Sequence, residues 1–277
     1  MQTLERNYSD KWKEYERDFD HAVAEEVIRD VAYYRTLLSN IIMIGAPNED
    51  WVLVDTSLRQ YHDRILHACE ERYGTKPPKA IILTHGHFDH AGSAKKLAEH
   101  WQVPVYIHEA EMDYVTGKKA YPPGDPTVGG GLISLLSAAF PTKPVHLEKM
   151  IKPLPNDGTI PHLKEWRYIE TPGHTPGHIS LYREKDQIFI AGDAISTEKP
   201  ESSWSVIFPF QHIYGPPAYF TEDWMTAEQS VKKIAALNPS VIIAGHGIPM
   251  HGEMMQKELK ELATNFIDQA IPKHKRH

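Results

Sequence analysis

Four residues of metal-ligand type stand within six positions of the chain: His85, His87, Asp89 and His90. They follow an apolar run at residues 80–83 that lies between two prolines and Gly86, a pattern typical of a buried strand. In α/β proteins, binding residues usually lie at the carboxyl ends of strands. The spacing lets the first two histidines reach one point while the aspartate and the last histidine reach a second. This short segment alone could therefore serve two adjacent metal ions.

The same arrangement, an apolar strand that ends in a glycine and then one metal-type residue, occurs three more times. The residues are His174 after the run at 166–171, Asp193 after 187–191 and His246 after 239–244. Glycine lets the backbone turn sharply and approach an ion closely. Four strand ends that converge would make a compact cluster of five histidines and two aspartates.

In their order along the chain these seven residues resemble the signature of the metallo-β-lactamase superfamily, over roughly residues 31–250. The resemblance implies an α/β fold, a four-layer αβ/βα sandwich of two mixed β-sheets with outer helices. It implies one ion held by His85, His87 and His174, a second held by Asp89, His90 and His246, and Asp193 as the bridge. By the same resemblance, the nearby His178 orients its neighbours and is not a ligand.

Imidazoles and carboxylates without thiolates suit Zn²⁺, and iron or manganese as well. We therefore expect two divalent transition metal ions, with zinc the first choice. In such sites a water between ions about 3.5–4 Å apart can have its pKa lowered to about 7. We predict a metal-dependent hydrolase in which a bridging hydroxide attacks the carbonyl of an ester, thioester or lactone. Asp193 as the bridge and Asp89 as a proton carrier are the predicted catalytic residues.

Two other functions are compatible with parts of this pattern. A mononuclear iron persulfide oxygenase, also known in the superfamily, uses two histidines and one aspartate with the second site empty. Retention of Asp89, His90 and His246 argues against it. A non-catalytic metal-binding protein, regulatory or scaffolding, would bind metal fully and turn over no substrate.

The resemblance does not choose a substrate. Lactonase relatives place a tyrosine three residues after the bridging aspartate, where this chain has Ser196. Glutathione-thioesterase relatives place a threonine directly after that aspartate and an acid after the last histidine, where this chain has Ala194 and Gly247. True β-lactamases usually depart from this ligand set at the second site. Neither of the first two activities is inherited on these residues, and β-lactam hydrolysis is a poor fit.

Aromatic residues concentrate in the connection that follows Asp193. Those predicted to bind substrate are Trp204, Phe208, Phe210 and Tyr214. Prolines interrupt any long helix there, and long irregular connections beside a site often form its wall. We expect an apolar cleft that favours longer acyl chains, with the connection at 121–140 closing over the same mouth as a lid.

Length and composition frame these elements. With 277 residues and 41% hydrophobic content, the chain can build one large core, and no linker-like stretch divides it. We predict a single metallo-β-lactamase-like domain over 1–277, with residues 1–30 as an added, mostly helical arm. The patterns predict helices at 61–73, 91–100, 221–237 and 252–269, and strands at 31–36, 41–44 and 51–54.

Composition also bears on partners and location. The amino terminus lacks the apolar core of a signal peptide and no apolar run reaches the length of a membrane span, which predicts a cytoplasmic protein without a membrane partner. Cys69 is the only cysteine, so no intrachain disulfide can form. The net charge of −7 does not favour nucleic-acid binding, which relies on Lys and Arg. The expected partner is a small-molecule substrate; the pattern leaves the oligomeric state open.

Overall fold

The computed structural model describes residues 23–129, 131–142, 145–147, 149–199, 201 and 211–276. Most of the predicted arm at 1–30 lies outside these ranges, as do Trp204, Phe208 and Phe210. The end of that arm is a correction. Glu25–Ile28 is a β-strand rather than helix, because Val27 packs into the core while the strand pairs with the next one along the chain.

Seven strands form the first sheet, in sequence order from one edge to the other. They are β1 (Glu25–Ile28), β2 (Val31–Arg35), β3 (Asn40–Ile44), β4 (Val52–Val54), β5 (Ile81–Ile82), β6 (Val105–Ile107) and β7 (Ile151–Pro153). The first four pair antiparallel and the last four parallel, so the sheet is mixed. The parallel half brings the carboxyl ends of β4, β5 and β6 to one edge.

Five strands form the second sheet, in the order β12-β11-β10-β9-β8. They are β8 (Arg167–Glu170), β9 (Ile179–Arg183), β10 (Ile188–Gly192), β11 (Val241–Ala244) and β12 (Met250–His251). Only β10 and β11 pair in parallel. Their carboxyl ends therefore lie side by side.

Helices lie around the two sheets. They are α1 (His62–Tyr73), α2 (Phe88–Ala91), α3 (Ala94–Trp101), α4 (Met112–Thr116), α5 (Leu132–Leu136), α6 (Trp224–Leu237), α7 (Gly252–Thr264) and α8 (Phe266–Gln269). None of these helices within the described ranges is long and apolar enough to cross a membrane.

Alternation along the strands builds the four layers. On β3, Ile42 and Ile44 face the core between the two sheets, while Ile41 and Met43 face the core under α1 and α3. The outer face of the second sheet packs on α6 and α7 in a third cluster. Strands that are buried on both faces read as continuous apolar runs, as these do. The predicted four-layer sandwich of two mixed sheets is confirmed.

The predicted helix bounds need three corrections. Helix α3 begins at Ala94, three residues later than predicted. Helix α6 begins at Trp224, because Asp223 caps it by accepting from the Thr226 amide at 3.0 Å. Thr221, at which the predicted helix begins, donates to the carbonyl of Pro217. The last helix is divided at Asn265 into α7 and α8.

Hydrogen bonds at two places join the sheets beside their carboxyl edges. The Asn40 side chain, at the start of β3, donates to the carbonyls of Ala244 (2.9 Å) and Gly247 (2.6 Å) on either side of the turn after β11. The Ile179 amide of β9 donates to the carbonyl of Thr84, just after β5, at 3.0 Å. The two edges are therefore held against each other by hydrogen bonds from the chain itself.

Candidate metal centre

All seven predicted ligands lie at these joined edges, and all are buried. His85 follows β5, and His87 caps α2, which contains Asp89 and His90. The others stand in turns of the second sheet: His174 between β8 and β9, Asp193 directly after β10 and His246 two residues after β11. The structure therefore brings together every residue that the sequence patterns singled out as a metal ligand.

Three histidines make the first group, and their ligand nitrogens face one another. His87 Nδ1 lies 3.0 Å from both His85 Nε2 and His174 Nε2. Ring nitrogens from three elements of the fold thus converge on one point. Spacing of this size suits nitrogens that share one ion with bonds of about 2.0–2.1 Å.

Asp89, His90 and His246 make the second group, within 4.8 Å of one another at their ligand atoms. Asp89 Oδ2 lies 3.8 Å from His246 Nε2 and 4.0 Å from His90 Nε2. We refer below to the three-histidine group and the aspartate group.

Asp193 lies between the two groups. Its Oδ2 atom is 3.3 Å from His174 Nε2 in the first and 3.1 Å from His246 Nε2 in the second, and its Oδ1 atom is 3.2 Å from His90 Nε2. One carboxylate thus reaches the ligand nitrogens of both groups, as a bridging ligand must.

Two buried polar atoms test whether the centre fits metal ions. His90 Nε2 and Asp193 Oδ1 are both buried and lie 3.2 Å apart, but neither makes a hydrogen bond of good geometry with the other or with any other described residue. A buried polar atom without a partner costs roughly 1–3 kcal/mol. Both atoms point into the centre, where a divalent cation would satisfy them. The donor set of imidazoles and carboxylates fits Zn²⁺, iron or manganese equally.

Burial keeps the three-histidine group neutral. It lowers the pKa of His85 and of His174 well below the usual range, and that of His87 to about 3, since an imidazolium would lose its hydration there. The Asp193 carboxylate opposes this effect without overcoming it. At neutral pH these rings therefore present free lone pairs.

In the aspartate group, the neighbouring carboxylates determine the pKa values of the two histidines. Burial opposes a charge on His246, yet the carboxylate of Asp193 raises its pKa to about 9, and Asp193 and Asp55 likewise raise that of His90. Burial also raises the pKa of Asp89. The two histidines are cationic at neutral pH in the absence of metal, and a metal ion must displace their protons.

The second ring nitrogens of the two groups have different partners. His90 Nδ1 donates to Asp55 Oδ2 at 2.8 Å, and His246 Nδ1 donates to the carbonyl of Leu38 at 2.5 Å. In the three-histidine group, hydroxyls stand there instead: Thr84 Oγ1 lies 3.1 Å from His85 Nδ1, and Thr221 Oγ1 lies 3.4 Å from His174 Nδ1. Such partners fix the tautomer and the orientation of a ligating ring.

His178 is outside both groups, as the resemblance implied. Its Nε2 atom accepts from the Asp193 amide at 2.8 Å, and its Nδ1 atom lies 2.9 Å from Thr171 Oγ1. Burial lowers its pKa to about 4, so the ring is a neutral acceptor. It places the backbone of Asp193 and contributes no ligand atom.

A narrow cleft lies beside the aspartate group, with a free volume of about 10 Å³. Its lining residues are Leu38, Phe88, Asp89, Ile133, Phe140, Glu198, Tyr219 and His246. Tyr214, predicted as a substrate residue, is absent from this lining; it pairs with Ser196 and its ring lies 4.9 Å from that of His212. Trp204, Phe208 and Phe210 lie outside the described residues. The predicted second connection does reach the cleft, through Ile133 of α5 and Phe140.

Sequence reasoning missed several residues that shape the centre. Asp55 carried part of the signal that identified the ligands, an apolar strand followed directly by an acid at the end of β4, but without the glycine. Leu38, which contributes only a backbone carbonyl, carried no signal. Neither did Glu111 and Glu198, two buried acids on irregular segments that only the folded chain brings near the site.

Comparison with known proteins indicates the family of the chain. A family model described as Metallo-beta-lactamase superfamily matches residues 34–246. A probable metallo-hydrolase, YflN of Bacillus subtilis (strain 168), is 46% identical over 232 residues, which cover 83% of this chain and 88% of that protein. Hydroxyacylglutathione hydrolase GloC of Haemophilus influenzae is 28% identical over 171 residues, or 61% of this chain and 68% of that protein.

Solved structures agree on the fold. A B3 metallo-β-lactamase with an active-site glutamic acid superposes with a TM-score of 0.63 at 18% identity, covering 98% of this chain and 97% of that one. At this identity the likeness concerns the fold alone. Together with the family match over most of the chain and the convergence of its histidines and aspartates, it leads to one conclusion: the chain belongs to the metallo-β-lactamase superfamily.

Proposed function

We propose that the chain is a dinuclear metal-dependent hydrolase that cleaves a small ester, thioester or lactone. The observation that carries the proposal is the centre itself, with Asp193 between two ligand groups and two buried atoms, His90 Nε2 and Asp193 Oδ1, that make no hydrogen bond of good geometry with any described residue. The likeness to a hydroxyacylglutathione hydrolase supports acyl chemistry. Two bound ions would polarise the carbonyl and lower the pKa of a water to about 7.

Residues of the chain would orient the substrate and move the proton. Asp89 lines the cleft as well as the aspartate group, so its carboxylate stands where substrate and centre meet. Burial raises the pKa of this carboxyl, which makes it a better proton acceptor than an exposed aspartate. We assign to Asp89 the transfer of the proton to the leaving group, and to Asp193 the alignment of the two groups.

The lining of the cleft indicates an apolar and uncharged acyl group. Phe140 anchors an aromatic wall, with its ring centre 5.7 Å from Phe88 and 6.0 Å from Tyr219. Apart from His246 of the aspartate group, the charged groups that face the cleft are acidic, Asp89 and Glu198, and Glu198 pairs with Arg35 at 2.7 Å. An anionic acyl group would meet like charges, while an aliphatic chain would meet rings and branched side chains.

A substrate panel tests the proposal. Protein loaded with metal is assayed on acetyl, octanoyl and succinyl esters of one alcohol, on matched thioesters and on lactones. We expect metal-dependent hydrolysis with kcat/KM highest for octanoyl and lowest for the anionic succinyl group. Hydrolysis should proceed equally without dioxygen, which separates it from oxygenase chemistry. No turnover of any member despite two bound ions would contradict the proposal and favour a non-catalytic metal-binding role.

Two residues of α5 offer a matched pair for the acyl preference. Ile133 lines the cleft, whereas Leu135 on the same helix is 65% exposed. Ile133→Ala should lower kcat/KM for octanoyl about threefold to tenfold, from roughly 0.8 kcal/mol for each buried methylene, with little effect on acetyl. Leu135→Ala should change neither. Equal losses on both esters would show that Ile133 does not contact the acyl chain.

A further inference from the structure

One buried carboxylate near the centre belongs to neither ligand group. Glu111 ends a short 3₁₀ turn after β6 and is fully buried. Its Oε2 atom accepts from the Gly86 amide at 3.1 Å and from the Tyr121 hydroxyl, and its Oε1 atom accepts from the Gly177 amide at 2.8 Å. Three donors from three separate segments therefore converge on one side chain.

Both of these amides belong to the loops that carry the three-histidine group. Gly86 stands between His85 and His87, and Gly177 stands in the turn that begins with His174. The first loop follows the first sheet and the second loop belongs to the second sheet. Glu111 therefore ties together the two loops whose relative position decides whether three ring nitrogens can meet.

Gly86 and Gly177 have no room for a side chain where they contact Tyr121 and Glu111. A Cβ atom on Gly86 would lie 2.5 Å from Tyr121 Oη, and a Cβ on Gly177 would lie 2.8 Å from Glu111 Cγ. These distances are too short for any side chain, so each loop needs glycine where its backbone approaches the Glu111–Tyr121 pair. The close approach explains two glycines of the motifs that the ligand set alone leaves unexplained.

The charges favour the same arrangement. The Tyr121 phenol is buried and donates its hydrogen to the Glu111 carboxylate. An ionised carboxylate that accepts two amides and one phenol makes charge-assisted hydrogen bonds, which are roughly twice as strong as neutral ones. Glutamine offers a single acceptor oxygen and would turn an NH₂ group towards a donor.

We propose that Glu111, with Tyr121, is a positioning residue that aligns the two loops of the three-histidine group and so sets the metal affinity of that group selectively. The proposal rests on the dinuclear centre proposed above. The aspartate group stands apart from this clamp: within the described ranges, the hydrogen bonds of the Glu111 carboxylate go to Gly86, Gly177 and Tyr121. Its own rings are held by Asp55 and by the carbonyl of Leu38.

Cobalt binding tests the selectivity, because each ion can be followed by titration and absorption spectrum without any assay of turnover. His174→Ala and His246→Ala give reference spectra for loss of the three-histidine ion and of the other ion. We expect Glu111→Gln to weaken one ion about tenfold to a hundredfold, the range for partners of ligands. The absorption bands that weaken in Glu111→Gln should be the bands that are missing from His174→Ala. Tyr121→Phe, a milder change, should weaken the same ion less.

The matched control is Glu109→Gln, an exposed acid on the same turn, which should bind both ions as the wild type does. Equal weakening of both ions by Glu111→Gln and Tyr121→Phe, with a parallel fall in the melting temperature of the metal-free protein, would overturn the proposal in favour of a general packing role. Unchanged affinities would overturn it as well. Wild-type protein that binds two ions but hydrolyses no ester contradicts the proposed function, and the clamp is then judged on binding alone.

Discussion

The two halves of the centre are built on different physical principles. The three-histidine group is neutral, with low pKa values and neutral hydroxyls beside its rings. The aspartate group is charged, with raised histidine pKa values and the Asp55 carboxylate behind His90. Exclusion of water keeps the histidines of the first group neutral and able to bind metal. Ion pairs hold the side chains of the second group in place until a metal ion displaces the protons of its histidines. A dinuclear site can therefore combine one rigid neutral position with one position whose affinity depends on pH.

Removing the shared carboxylate should have the largest effect, because it belongs to both halves. In Asp193→Asn an amide replaces the carboxylate, whose Oδ2 atom lies 3.3 Å from His174 Nε2 and 3.1 Å from His246 Nε2. We expect kcat/KM to fall about a hundredfold or more, equivalent to ~2.7 kcal/mol, with loss of at least one ion. Metal analysis and ester kinetics would measure both, and thermal melting should show a folded chain.

His178→Ala is the control for that variant, since the hydrogen bond of His178 to Asp193 is made with the backbone amide and not with the carboxylate. It should keep both ions and most of the activity. Wild-type turnover and normal metal content in Asp193→Asn would mean that the halves are independent and that no bridge is needed.

Asp55→Asn sharpens the comparison, because Asp55 contacts His90 directly and reaches the three-histidine group only through Thr84, whose hydroxyl donates to Asp55 and lies beside His85. Asp55 Oδ2 accepts from His90 Nδ1, and an amide can present its NH₂ group there and disfavour the ligating tautomer. We expect the ion of the aspartate group to bind about tenfold to a hundredfold more weakly, with a smaller effect on the other ion through Thr84. Cobalt titration would report both affinities, and the exposed Asp50→Asn serves as a matched control. Loss of the three-histidine ion instead would contradict the division into halves.

Thr221→Val is the corresponding change in the three-histidine half and should have a smaller effect. The Thr221 hydroxyl lies 3.4 Å from His174 Nδ1, a long contact, and valine keeps the shape of the side chain. The variant also loses the bond from this hydroxyl to the Pro217 carbonyl, which does not involve a ligand. Loss of the neutral hydrogen bond to His174, of at most about 1 kcal/mol, predicts a reduction in metal affinity of about threefold to fivefold. A hundredfold loss, measured by the same titration, would show that the hydroxyl matters as much as the Asp55 carboxylate.

The last prediction concerns the stability of the metal-free protein, whose dependence on pH has opposite signs in the two halves. His87 titrates near 3 when folded against 6.5 when unfolded, so the unfolded chain binds protons first and stability is lost as pH falls from about 6.5 towards 3. His246 titrates near 9, so its contribution is complete below pH 6.5 and is lost as pH rises through about 9.

Denaturant unfolding across pH 4–10, with a chelator present throughout, would reveal both pH ranges in which stability is lost. His87→Gln should flatten the acidic side of the profile, and His246→Gln the basic side. A single pH range affected equally by both variants would show that the halves titrate as one unit.

The sequence predicted the ligands well because each stands at a strand end, where local pattern and tertiary position coincide. His85, Asp193 and His246 all follow apolar strands, and the two-sided burial of those strands also predicted the layers. Asp55 carried the same pattern and could have been found by it.

Other parts depended on contacts between distant segments, for which a local pattern gives no signal. Glu111 is defined by amides of two other loops, and Glu198 by Arg35 on the opposite sheet. Glu25–Ile28 became a strand because an edge of the sheet was available to it, an option that helical periodicity does not register. The substrate residues were the weakest prediction, since Tyr214 lies off the cleft lining and the rest of that stretch is not described.

The junction between the two sheets has a consequence for how the protein is made. During synthesis the loop with His85, His87 and His90 leaves the ribosome long before His246, the last residue of the centre. Neither ligand group is complete in the amino-terminal half, since one requires His174 and the other His246. Stable capture of metal must therefore be a late event, after the second sheet has docked. Until then, the exposed histidines of the nascent chain could bind metal only weakly, which protects it from premature or mismatched loading.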